Sequence, residues 1–213
     1  RWAFVLPLAI PPYIAAYTYS NMLSYTGIVQ STLRNRWGLA LDQKYFDIMS
    51  LPGAVFIFTL FLFPYVYLIT KTFLEHQSTS FVENARLMRK NGTQIFFQVV
   101  LPLSRSAIIG GVSLVVFEVL NDYGVSSYFG LQTFAVAIFQ TWFRMYDIES
   151  ALRLAALLMS GIIGLLIVER LLRWRMRYTV AAGRTRPLAP RKLRGAAAWA
   201  ATSFCLAIAA FSF

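Results

Sequence analysis

Two groups of residues in this 213-residue chain carry oxygen and charge at spacings that chemistry could use. The first is Glu118 with Asn121-Asp122-Tyr123-Gly124, two carboxylates four residues apart with a phenol beside them. On a continuing helix, residues four apart share a face. The spacing therefore predicts a cluster of hard oxygen donors, suited to a hard metal cation or its chelate. The same letters have a second reading, since Asn-Asp-Tyr-Gly is also a turn signal and Glu118 could pair with an arginine or cap a neighbouring helix. The second group is Ser80–Leu103, SFVENARLMRKNGTQIFFQVVLPL, a polar segment between two long apolar runs. Its Ser80-x-x-Glu83 fits the capping box, in which each end residue satisfies the other's backbone amide. A short helix is expected from Ser80, with Phe81, Val82, Ala85, Leu87 and Met88 forming an apolar side. Gly92 can end that helix in the left-handed conformation, and Thr93 can cap the helix that follows through Phe96 and Phe97. A solvated connector with Glu83 as a simple cap accounts for the same residues.

Other chemistry lacks its residues. No G-x-x-x-x-G-K-[ST] run is present, so the chain has no phosphate loop of that type for ATP. His76 is the one histidine and Cys205 the one cysteine, which leaves no zinc set, no intrachain disulfide and no recognisable Ser/His/Asp arrangement. Whether any metal is bound is left open by the sequence.

The elements that must position these residues are membrane helices. The chain is 58% hydrophobic and 14% charged with a mean hydropathy of +0.58, too apolar for a water-soluble domain. Five runs approach the ~20 residues that cross a bilayer core: Ala3–Leu23, Pro52–Lys71, Pro102–Leu120, Ala151–Glu169 and Gly195–Phe213. The net charge of +11 does not indicate nucleic acid. Nine of the 20 basic residues lie between Arg170 and Arg194, directly after an apolar run, as the positive-inside rule expects of a cytoplasmic loop. With that loop inside, Asn121–Ser150 and Ser24–Leu51 fall outside, and Thr72–Leu101, with Arg86, Arg89 and Lys90, falls inside. Pro7, Pro11 and Pro12 predict a kinked first span facing the bundle. The chain opens on Arg1 directly into an apolar run and stops at Phe213 in another, which is expected of a piece of a longer protein. The tyrosines at 13, 17, 19, 25, 65 and 67 are expected to serve the interfacial belt or packing.

Glu83, Ala85, Gly92, Val99 and Leu101-Pro102, with nineteen residues from Glu83 to Pro102, resemble the cytoplasmic "EAA" loop of bacterial ABC importer permeases. In one respect the loop departs from that pattern: the family's glycine six residues after the glutamate is here Arg89, with Gly92 three residues later. Beyond the loop, LPLAIPPYIAAYTYSNMLSYTGIVQ (6–30), SLPGAVFIFTLFLFPYVYLI (50–69) and FEVLNDYGVSSYFGLQTFAVAIFQTWF (117–143) are similar to the amino-terminal half of ferric-iron ABC importer permeases. The likeness covers roughly Leu6 to Arg177.

The resemblance implies an all-α, polytopic helical membrane protein of the MetI-like permease fold with about five spans here. Residues 1–177 would be a permease half with its coupling loop at 76–103, residues 178–194 a basic cytoplasmic linker, and 195–213 the start of a second half. It implies a transport subunit and not an enzyme, in the bacterial inner membrane, binding no cofactor itself. Glu83, Ala85, Arg89, Gly92, Leu101 and Pro102 would couple to a cytoplasmic ABC ATPase dimer that holds the ATP. A periplasmic or lipid-anchored solute-binding protein, membrane lipid and the second permease half complete the expected partners, and Glu118, Asp122 and Tyr123 are the candidate translocation path. Permeases for thiamine, a polyamine or a phosphonate share this pattern, and a membrane scaffold or channel without an ATPase is the alternative of a different class.

Overall fold

The computed structural model describes residues 4–38, 44, 46–75, 91–174, 199 and 202–207. Among the described residues every regular element is helical. The chain enters through a 3-10 turn, Leu6–Ala9, and then breaks at Ile10 and Pro11, both extended, before α1 (Pro12–Leu23). Consecutive prolines lack two amide donors, and each pushes the residue before it out of the helical region. The expected first span is therefore two short pieces. Its helical part, at 12 residues, rises about 18 Å, short of the ~30 Å hydrocarbon thickness.

α2 (Ile28–Trp37) follows and closes on Gly38, whose φ of 64° lets its N–H bond to the Leu33 carbonyl. Three long helices come next: α3 (Leu51–Glu75), α4 (Gly92–Asn121) and α7 (Ile148–Trp174), separated after α4 by the short α5 (Gly124–Tyr128) and α6 (Phe134–Phe143). α3, α4 and α7 are long and apolar enough to cross a membrane, and as helices they satisfy their own backbone polar groups, which lipid cannot do. The expected external segment Asn121–Ser150 is not simply a loop, since α5 and α6 occupy half of it. The expected linker at 178–194 and most of the expected span Gly195–Phe213 lie outside the described residues.

α3 and α4 form the central pair. α4 turns Ser104, Ala107 and Gly111 inward, all buried, at the three- and four-residue spacing of one helix face. Small residues let two membrane helices approach closely, and packing counts for more there than apolar burial, because lipid is as apolar as leucine. The approach is tight enough that a Cβ at Gly111 would lie 2.8 Å from the Val66 Cα. Further along α4, Val115 and Val119 pack on a cluster built from Ala15 and Ala16 of α1, Ala54, Ile57, Phe58, Phe61 and Leu62 of α3, and Val125 and Phe129 near α5. α4 therefore runs antiparallel to α3. Glu75 and Gly92 lie at one end of the pair, and Leu51 and Asn121 at the other.

Candidate functional site

At the Asn121 end, α4 stops where the turn signal begins. Asp122 is extended (φ −71°, ψ 121°), with its N–H on the Val119 carbonyl at 3.2 Å. The Asn121 side-chain amide folds back to donate to the Phe117 carbonyl at 2.9 Å. Asp122 Oδ2 accepts the Ser126 N–H at 3.1 Å, so this carboxylate tethers the start of α5. The expectation that Glu118 and Asp122 share the face of one continuing helix is thereby corrected. The helix ends between them, because the aspartate finds a better partner in the orphan amides of the next helix. Glu118 is exposed near the end of α4, and among the described residues its carboxylate makes no hydrogen bond or ion pair.

Tyr123 is 40% exposed and stacks on Phe139 of α6, centroids 4.3 Å apart and planes 29° apart. Phe139 in turn stacks on Phe143 at 5.6 Å. Gly124 is required at its place, since a Cβ there would lie 2.7 Å from the Tyr13 Cβ of α1. α1, α5 and α6 thus converge on Tyr123 and Gly124, just past the end of α4. Phe139 was not legible as part of this group, because its contact crosses 16 residues of chain and no short-range pattern encodes it. Among the described residues, no group of three or more His, Cys, Asp and Glu side chains is arranged to hold a metal ion.

At the other end, Glu83, Ala85 and Arg89 lie outside the described residues, as does the expected helix from Ser80. Gly92 is described, and it does not end a helix in the left-handed conformation. It opens α4 directly after the N-cap Asn91. Asn91 and Gln94 form a capping box, Gln94 Oε1 accepting the Asn91 N–H at 3.1 Å. Thr93, expected as the cap, sits inside the first turn, because Asn91-x-x-Gln94 offers both reciprocal bonds and threonine here offers one. That pattern was readable beside Ser80-x-x-Glu83.

The turn Phe96–Val100 is π-helical, and the Leu101 N–H reaches five residues back to the Phe96 carbonyl. Leu101-Pro102 follows at once and the helix resumes α geometry. Ser104 Oγ donates to the carbonyls of Val100 at 2.9 Å and Leu101 at 3.1 Å. At the far end of α7 a Glu169–Arg173 ion pair at 2.7 Å lies beside α4, where the Arg173 guanidinium covers Gly110.

Residues 37–178, well over half of the chain, match the family described as binding-protein-dependent transport system inner membrane component. The chain belongs to this family. It is accordingly a multi-pass component of the bacterial inner membrane. Among curated proteins it is 26% identical over 186 residues to the Fe(3+)-transport system permease protein FbpB 2 of Haemophilus influenzae, covering 87% of this chain and 32% of that protein. It is 23% identical over 185 residues to the putative ferric transport system permease protein FbpB 1 of the same organism, covering 85% and 29%. The molybdenum transport system permease protein ModB, also from H. influenzae, is 26% identical over 121 residues, covering 57% and 50%. The chain thus spans about a third of the length of the two ferric relatives. No solved structure matches.

Proposed function

We propose that this chain forms part of the translocation path of a binding-protein-dependent ABC importer for ferric iron, and that the segment from Ser80 to Pro102 couples it to a cytoplasmic ATPase. The observation that carries the substrate class is coverage: the two ferric permeases align over 87% and 85% of the chain, the molybdenum permease over 57%. The chemistry at the Asn121 end agrees. Glu118 and Tyr123 are exposed hard-oxygen donors on separate elements. A path that must release its cargo needs few donors, since binding tight enough to retain an ion would stop conduction. Asp122, tied to the Ser126 amide, orders the turn that carries Tyr123.

In this reading a solute-binding protein delivers cargo at the Glu118 end, and ATP held by the partner dimer closes it, displacing the segment that carries Glu83, Ala85, Arg89 and Gly92. Leu101 and Pro102 pass that displacement to α4. The work is conformational, and the chain itself holds no cofactor. The match to ModB supports a second reading, an importer of an oxyanion.

The test uses the full-length protein in liposomes with its ATPase and binding protein. Iron-loaded binding protein is expected to stimulate ATP hydrolysis and uptake, and Glu83→Ala to abolish the stimulation while assembly persists. Stimulation by molybdate and not by iron would select the second reading. Failure of the wild type to bind any ATPase would remove the importer reading altogether.

A further inference from the structure

In an α-helix each N–H reaches four residues back, whereas at Leu101 it reaches five, to Phe96. The wider turn holds one residue more than the α path requires. Proline explains part of this. Pro102 has no N–H, and in a regular α-helix its ring would press on the carbonyl four residues earlier, that of Gln98. Proline alone is insufficient, because α3 carries Pro64 in its interior and remains α-helical throughout. What α4 adds is Ser104, whose hydroxyl accompanies the carbonyls of Val100 and Leu101 at the edge of the wide turn. Back-bonding of this kind bends helices.

The wide turn separates two ordered pieces. Beyond it α4 is packed on α3 through Ser104, Ala107 and Gly111. Before it, Gly92–Ile95 is fixed by the Asn91–Gln94 capping box. The turn itself has no buried residue, and Phe96 and Phe97 are 50% and 60% exposed, so the main packed side chain that a change of turn geometry would have to move is Ile95, 7% exposed, just before the turn. Closing the turn to α geometry would rotate Asn91–Ile95 by about 100° around the α4 axis and shift it by about 1.5 Å along it.

We propose that the π turn Phe96–Val100, held open by Pro102 and Ser104, is a two-position joint. Its state sets the direction in which the inner segment leaves α4 and lets displacement of that segment turn into displacement of the span. The coupling role of the joint rests on the importer reading above, while its geometry does not.

The experiment uses the full-length protein in nanodiscs with spin labels at Thr72 and Thr93, and a reference pair at Thr72 and Val112. Wild type should give one separation for each pair. Deleting Gln98 together with Pro102→Ala removes the extra residue and the ring. Because the wide turn holds one residue more than the α path, that deletion closes the turn with Thr93 kept in register, so both separations should stay at their wild-type values. Pro102→Ala alone, which keeps the residue count, should add a second Thr72–Thr93 separation, displaced by roughly 5 Å for a 100° turn at Cβ radius, with the reference pair unchanged. A single, unshifted Thr72–Thr93 separation in Pro102→Ala, a shifted one in the deletion, or a shifted reference pair overturns the joint. With ATPase and iron-loaded binding protein added, the deletion should lose stimulated hydrolysis. Equal stimulation in wild type and deletion overturns the coupling role. Absence of ATPase binding in wild type instead refutes the importer reading and leaves the label result to judge the joint.

Discussion

Asp122 and Asp147 perform the same task at two helix starts. Asp122 Oδ2 accepts the Ser126 N–H, and Asp147 Oδ1 accepts the Ser150 N–H at 3.0 Å. A carboxylate engaged with backbone amides is a poor ligand for anything else, which leaves Glu118 as the available acid near the Asn121 end. For Asp147 the consequence is measurable. The Ser150 side-chain hydroxyl first, then the Ser150 and Glu149 amides and the Arg153 charge, hold its pKa below the usual 3.8. A folded-state pKa below the unfolded one contributes stability that is fully present above the unfolded value, near pH 4, and is lost as the pH falls through the depressed value. We expect the Ser150 amide to lose hydrogen-exchange protection, corrected for intrinsic rates, as the pH falls below about 4. In Asp147→Ala that protection should already be low at neutral pH and change little with acid. Wild-type protection that is indifferent to pH between 3 and 6 would contradict this account.

At the scale of elements, the features legible in sequence are those that local composition encodes. The apolar runs near Pro52–Lys71, Pro102–Leu120 and Ala151–Glu169 became α3, most of α4 and α7, each longer than expected because capping residues and polar flanks extend a helix beyond its apolar part. The break at Ile10–Pro11 exceeded the kink expected from Pro7, Pro11 and Pro12, since two prolines in succession remove more hydrogen bonds than a kink can restore. α6 was missed because its ten residues are too few to span and were absorbed into a loop defined by its neighbours. The π turn was not legible at all, as it arises from Pro102 and Ser104 acting on a turn of ordinary composition. The α3–α4 approach gives the test at this scale. Gly111→Val places atoms where the Val66 backbone already lies, so we expect a loss of about 1–3 kcal/mol from overpacking, seen as a lower melting temperature of the full-length protein in detergent. Gly161→Ala on α7, where nothing lies within 4 Å, should be neutral or slightly stabilising through helix propensity. Equal melting of the two variants would mean that the small face of α4 does not set the helix spacing.

Across the whole molecule, burial falls steadily from the centre outward. Of the most apolar stretch of α3, 39% is buried, against 22% for α4 and 6% for α7. A helix that is apolar on every side needs cover all round, from lipid or from other helices. α7 receives little cover here: Ala151 is its one buried residue, and beyond α6 its contact with the rest includes the Arg173 guanidinium resting on Gly110. Taken with relatives about three times as long, this gradient supports the reading that a second permease half packs against the α7 side. The two possible covers, lipid and protein, predict different behaviour. If protein covers α7, residues 1–213 purified alone should aggregate or melt without a cooperative transition in detergent. The full-length protein should melt cooperatively, and Leu157→Cys and Ile163→Cys, both exposed here, should include at least one position shielded from a membrane-permeant thiol reagent. If lipid alone covers it, both positions should label fully in the full-length protein, and the 213-residue chain should run as a monodisperse, cooperatively melting species. That second result would remove the second half as a packing partner of α7 and leave the α3–α4 pair as the structural centre on its own.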